Sequence, residues 1–170
     1  LLRDLVPHLQ QAYREVSANQ SEATAVYRSS LHDEAAEAIA GGAVPEPDEL
    51  RQMLLDTLAE RRDQEIERGV NLVGPHRDDL VLGLGPMPAK GYASHGESWS
   101  FALGLRLAAY HLLRHDLGDD PVLVLDDVFA ELDSGRRERL AAMIADCEQV
   151  LITAAVPEDV PESMAGRRYS

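Results

Sequence analysis

Pro121-Val122-Leu123-Val124-Leu125-Asp126-Asp127 is the stretch that decides the fold. Four consecutive apolar residues predict a strand in the interior of a sheet, and the two acids fall where its C-terminal end opens. Ligands of open α/β sheets bind at that edge. One carboxylate there can hold Mg²⁺ against nucleotide phosphates, and the next can polarise an attacking water. This is a Walker B arrangement. A buried strand that simply stops at an acidic turn would look the same, so the flanking sequence has to decide.

Upstream, Ser94-His95-Gly96-Glu97 has the spacing of a capping box at the start of a helix running from Glu97 to Arg114. That helix is apolar nearly all round, which predicts burial. The segment reads in two ways. It can be a well-capped helix only, or an anion cradle in which the serine hydroxyl and an unobstructed glycine backbone receive a phosphate from another subunit. Downstream, Glu131-Leu132-Asp133 begins four residues after Asp127, where the strand hands over to a helix predicted over Ser134 to Ala145. Capped helix, acidic strand and acidic turn follow one another within about forty residues, and that order is a poor match to chance.

Further elements extend the pattern. Val70–Val73, Leu80–Leu84 and Val150–Ile152 read as strands, with a glycine- and proline-marked loop from Gly85 to Gly91. Buried strands alternating with helices predict a parallel α/β sheet. Before Gly69 the texture is mainly helical. Leu2, Leu5, Val6, Leu9, Tyr13 and Val16 mark one helix face, Ala25–Tyr27 a short strand, and Ala35–Ile39 a helical turn closed by Gly41-Gly42. A long helix then starts near Asp48, its expected N-cap, with Leu50, Leu54, Leu58 and Ile66 inward and a charged, solvated face from Glu60 to Arg68.

The chain has 170 residues, 45 % of them hydrophobic, and no apolar run approaches the roughly 18 residues of a membrane span. Its formal charge is −14, with Lys90 the sole lysine beside fifteen arginines. An acidic surface repels phosphate backbones, so any contact with DNA requires a local patch or an assembled groove. The single cysteine, Cys147, suits a reducing cytosol. No signal peptide opens the chain, and a start at Leu1 inside a helix suggests a fragment. His111 and His115 stand four apart, but Leu112 breaks the zinc-protease pattern. Trp99 reads as a core residue or a partner-facing one, and Arg136, Arg137 and Arg139 as a solvated face or a DNA or partner contact.

Three runs together carry a resemblance: Gly74-Pro75-His76-Arg77-Asp78-Asp79-Leu80, Tyr92-Ala93-Ser94-His95-Gly96-Glu97-Ser98, and Val122 through Asp133. They resemble the RecF family, bacterial recombination-repair ATPases related to the Rad50 and SMC heads. The likeness covers most of residues 69–153, and residues 1–68 resemble the family's helical second lobe more loosely. It implies the C-terminal part of an ABC/SMC-like P-loop ATPase head, an α/β fold with residues 69–170 as half of the ATPase lobe. It also implies ATP and Mg²⁺ as cofactors. Ser94, Gly96 and Glu97 become the ABC signature, Asp126 the metal acid, Asp127 the catalytic base, and Ala130 to Asp133 the D-loop.

Two departures matter. Asp127 stands where most ABC ATPases have glutamate (usual for this family), which implies slow hydrolysis. Thr153 stands where many place a switch histidine, and it can donate to a phosphate but not take up a proton. No Gly-x-x-x-x-Gly-Lys-[Ser/Thr] occurs, so the Walker A loop is expected upstream of Leu1. The resemblance further implies an ATP-dependent homodimer in the cytoplasm, binding single-stranded or gapped DNA. It would work with RecO and RecR to load RecA in replication, repair and the SOS response. Asp78, Asp79, Asp126, Asp127 and Asp133 also allow a rival, a metal-dependent nuclease, and a structural module without turnover is a third reading. His76 through Asp79 suggest a polar network joining the two lobes.

Overall fold

The computed structural model describes residues 1–17, 21–164 and 166–167. In chain order the elements are α1 (Leu2–Ser17), β1 (Ala23–Arg28), α2 (Asp33–Ala40), α3 (Pro47–Arg68), β2 (Asp79–Leu84), β3 (Met87–Pro88), α4 (His95–Leu117), β4 (Leu123–Asp126), α5 (Ser134–Ile144) and β5 (Val150–Thr153). Two compact units emerge. One comprises Arg3–Thr24 with Gly83–Ser170, the other Ala25–Leu82.

The first unit is built around a parallel pair, β4 beside β5, with Leu123 opposite Val150 and Asp126 opposite Thr153. Because strand side chains alternate, Leu123 and Leu125 point inward and meet Ala12 and Val16 of α1, Leu103, Leu107 and Tyr110 of α4, and Leu140 and Ile144 of α5. Phe129 and Leu132, in the turn after β4, are buried in the same cluster. The opposite face is bare within this chain: Val122, Val124 and Leu151 are 53 %, 59 % and 50 % exposed. The expected all-buried strand is therefore covered on one side only. Between Ser100 and Leu112 helix α4 is mostly buried, with Ala102 and Arg106 exposed and Leu105, Ala109 and His111 half-buried, and its last turn is open. It stops at Gly118, whose left-handed conformation (φ 66°) suits glycine.

In the second unit, two expectations about α3 fail for physical reasons. The helix begins two residues early, with Glu46 at the N-cap, because Pro47 presets the first helical φ. Asp48 and Glu49 sit in the first turn, where acids favour the dipole. Leu54 and Leu58 are half-buried, yet Leu50 and Ile66 are exposed. Sixteen residues at 100° per residue leave those two about 160° apart around the helix axis, so one face cannot hold both. The strand expected over 70–73 is also absent. After α3 ends at Gly69, the amides of Leu72 and Val73 donate to the Glu65 carboxylate, at 2.5 and 3.3 Å, rather than to a neighbouring strand. A small sheet has the strand order β1-β2-β3, and β2 forms an antiparallel hairpin with β3.

Candidate functional site

The site residues gather into two clusters, both in the first unit. The first lies at the C-terminal ends of β4 and β5. Thr153 Oγ1 donates to Asp126 Oδ1 at 2.5 Å. The Asp127 amide in turn donates to Thr153 Oγ1 at 3.0 Å and to the Thr153 carbonyl at 3.2 Å. Asp127 adopts φ 53°, ψ 21°, and is the one non-glycine with positive φ among the described residues. Such a conformation costs on the order of 1 kcal/mol and is better tolerated by Asp and Asn than by longer side chains. Phe129, fully buried two residues on, anchors the turn that holds this backbone.

Both carboxylates are solvent-exposed. Asp126 offers a hard oxygen at a sheet edge, which fits Mg²⁺, a cation that takes one or two protein carboxylates and completes its shell with water and phosphate. The donors needed for an all-protein two-metal centre do not come together. Among the described residues, no three His, Cys, Asp or Glu side chains are grouped to hold a metal.

The second cluster joins the start of α4 to the start of α5. Ser94 is the N-cap of α4 and forms the full capping box. Its amide and hydroxyl donate to Glu97 Oε2 (2.9 and 2.7 Å), and the Glu97 amide donates back to Ser94 Oγ at 3.3 Å. The Ser94 hydroxyl, then its amide, hold the Glu97 carboxyl below its ordinary pKa. Asp133 caps α5, accepting from the Arg136 amide at 2.9 Å and from Arg136 Nη1 at 2.5 Å. These bonds, the amide first, lower its pKa as well.

Sequence reasoning named Arg136 only as part of a basic cluster and missed its contact with the start of α4. A Cβ on Gly96 would come within 3.1 and 3.2 Å of the Arg136 guanidinium nitrogens, so the glycine admits that side chain over the first turn of α4. Arg136 thus touches both the signature segment and the D-loop, and His95 lies 4.0 Å from Glu131 beside it. A capping acid three residues before an arginine was visible in the sequence, but the contact with Gly96 is tertiary. The other arginines of the cluster are also engaged. Arg137 donates to the Leu132 carbonyl and pairs with Asp159, both at 2.9 Å, and Arg139 donates to the Val16 carbonyl of α1. They brace α5 and do not form an open solvated face. Trp99 is half-buried, with its ring edge-on to His95, and His111 stacks on His8.

The Gly74–Asp79 run lies in the second unit, and Tyr27, Arg28 and Ser30, which bond to it, belong to the same unit. Asp78 accepts from Tyr27 Oη (2.5 Å) and from the Ser30 amide (2.7 Å). Ser30 Oγ donates to the Gly74 carbonyl and accepts from the Gly74 amide. Arg28 pairs with Asp79 at 2.9 Å. Burial pushes the Asp78 carboxyl up, but the bonds from Tyr27 and Ser30 together outweigh it and leave its pKa lowered. A carboxyl depressed in the folded state stabilises above its unfolded pKa and loses that contribution as pH falls through the folded one. Asp78→Ala in the full-length protein should therefore speed hydrogen exchange of the Ser30 amide about tenfold at pH 7, the low end for a charge-assisted bond. The difference should shrink below pH about 3.9 and vanish at still lower pH. Unchanged exchange at pH 7 would deny the network any stabilising role.

Comparison with known proteins follows the same line. No family model matches the chain. The curated "DNA replication and repair protein RecF" of Kineococcus radiotolerans is 62 % identical over 98 % of this chain, and that of Beutenbergia cavernae 57 % identical over 99 %. The chain spans 44 % and 45 % of those two relatives' own lengths. Among solved structures, the recombination mediator protein RecF in the RecFOR pathway matches twice, as RecF-ATPrS (TM-score 0.72, 94 % of this chain and 40 % of that one) and as RecF-ATP (TM-score 0.70, 92 % and 39 %). At 24 % identity these likenesses show a shared fold over the part they cover and nothing more.

Proposed function

Because this chain belongs to the RecF family, we propose that it supplies the Walker B, signature and D-loop parts of an ATP-driven head that acts in DNA replication and repair. The observation that carries this reading is the end of the parallel pair, where Asp126 and Asp127 leave β4 side by side at the edge that binds ligands in such sheets. Asp126 would hold Mg²⁺ there, and the ion when bound would neutralise charge on the nucleotide phosphates. Asp127 would accept the proton of the attacking water. Its short reach suits slow turnover.

Ser94, Gly96 and Glu97, with Asp133 behind them, form the face offered to the nucleotide of a second head. ATP would thus join two copies and assemble the surface that holds single-stranded or gapped DNA, and hydrolysis would release it. The acidic chain (formal charge −14) leaves DNA contact to that assembled surface. RecO and RecR as partners, RecA loading, a part in the SOS response and a cytoplasmic site of action come with the family. No helix among the described residues is long and apolar enough to cross a membrane.

The chain holds no Walker A loop sequence and spans 44 % and 45 % of its relatives' lengths, so in this reading another part of the full-length protein would have to grip the phosphates. Two acids without that loop present like charge to the phosphates, and the amides and lysine that would cradle them are missing. Calorimetry on the 170-residue chain should accordingly detect weak ATP binding or none, and micromolar affinity would refute this division of labour. The nuclease reading is disfavoured because Asp78, Asp79 and Asp133 are held by Tyr27, Ser30, Arg28 and Arg136. DNA incubated with Mn²⁺ and no ATP should stay intact.

A further inference from the structure

Thr153 has a single hydroxyl proton, and it donates that proton to Asp126 Oδ1 in a hydrogen bond. A lone pair of the same oxygen receives the Asp127 amide. The hydroxyl thus sits between the two acids, bonded to both, because the parallel register sets Thr153 directly across from Asp126. We propose that Thr153 is a positioning residue for the acid pair and not a donor to the nucleotide. The inference rests on the reading of Asp126 as the metal-holding acid.

Its bond to Oδ1 is charge-assisted and restricts the rotation of the Asp126 carboxylate, so Oδ2 is the oxygen that Thr153 does not engage. Its oxygen and its carbonyl share the Asp127 N–H and so pin a backbone that would otherwise relax out of the left-handed region. β-Branching restricts the threonine rotamer in a strand, so the hydroxyl itself is held in place. One side chain therefore orients the Asp126 carboxylate and helps hold the Asp127 backbone. Partners that orient a metal ligand in this way typically change metal affinity about 10–100-fold when removed.

The test uses the full-length protein with Thr153→Val, which keeps shape and branching, and Thr153→Ser, which restores the hydroxyl. Thr153 is exposed, so neither change disturbs the core. Mn²⁺ affinity in the presence of ATP is read by electron paramagnetic resonance, and affinity for a fluorescent ATP analogue is read in EDTA. Thr153→Val should weaken Mn²⁺ binding about 10–100-fold and leave nucleotide affinity in EDTA unchanged, and Thr153→Ser should recover most of the loss. Equal weakening in EDTA would make Thr153 a phosphate donor and overturn the proposal. So would Mn²⁺ affinity that ignores Thr153→Val, or a serine variant as impaired as the valine one. Asp126→Asn serves as the control: if it leaves Mn²⁺ affinity intact, the metal-acid assignment itself fails, whereas its loss beside an unaffected Thr153→Val overturns only the role of Thr153.

Discussion

Asp127→Asn in the full-length protein is expected to slow ATP hydrolysis about 10²–10⁴-fold, the usual contribution of a general base, with ATP binding retained. The structure makes this substitution unusually clean. Position 127 sits in the left-handed region, where asparagine is at least as comfortable as aspartate. The backbone amide still reaches Thr153, so the turn into Phe129 survives. Asp126, which would hold the metal, is untouched. Only the ability to take a proton from water is lost. Single-turnover hydrolysis should fall while equilibrium ATP affinity holds, and the ATP-bound dimer should persist longer on DNA. Unchanged turnover would assign Asp127 another role.

Ser94→Arg is expected to abolish the ATP-induced dimer while each head keeps near-normal ATP affinity. An arginine at the N-cap removes the acceptor for the Glu97 amide and the donor to the Glu97 carboxylate, so the capping box is broken. That costs the helix about 0.5–2 kcal/mol, which a domain of ordinary stability survives. The mostly buried middle of α4, from Ser100 to Leu112, is unaffected. The new side chain fills the space in front of the helix N-terminus, and it lies near Arg136, which already covers Gly96. A second head would then meet bulk where its phosphate has to approach. Sedimentation with ATP decides the matter: a dimer in the mutant would reduce Ser94 to a helix cap and remove the signature assignment.

Much of this site could be read along the chain because its parts are local. The N-caps Ser94 and Asp133 precede their helices at fixed spacing, and an apolar run ending in acids places β4 and its mouth without any tertiary information. What escaped was set by distant partners. Glu65 captures the amides of Leu72 and Val73, so a β-rich run is not a strand. Arg136 reaches Gly96 across forty positions of sequence, and Thr153 meets Asp126 only because β5 lies beside β4 in one register. The exposure of Val124 was equally hidden, since hydrophobicity says that a strand wants cover and not which chain segment provides it.

The capping box has a consequence for timing. In the resting chain Glu97 occupies, with its own negative oxygen, the place at the helix N-terminus that an incoming phosphate would take. It acts as a placeholder. Two heads that met without nucleotide would find nothing vacant there to bind, so in the proposed dimer encounter alone would give no grip. A phosphate would have to outcompete a tethered carboxylate for one amide and one hydroxyl, and its oxygens, sharing about two negative charges, would be better acceptors than a single acid. In the proposed dimer, pairing of the heads would thereby be conditional on cargo, through a competition between two anions for the same two protons.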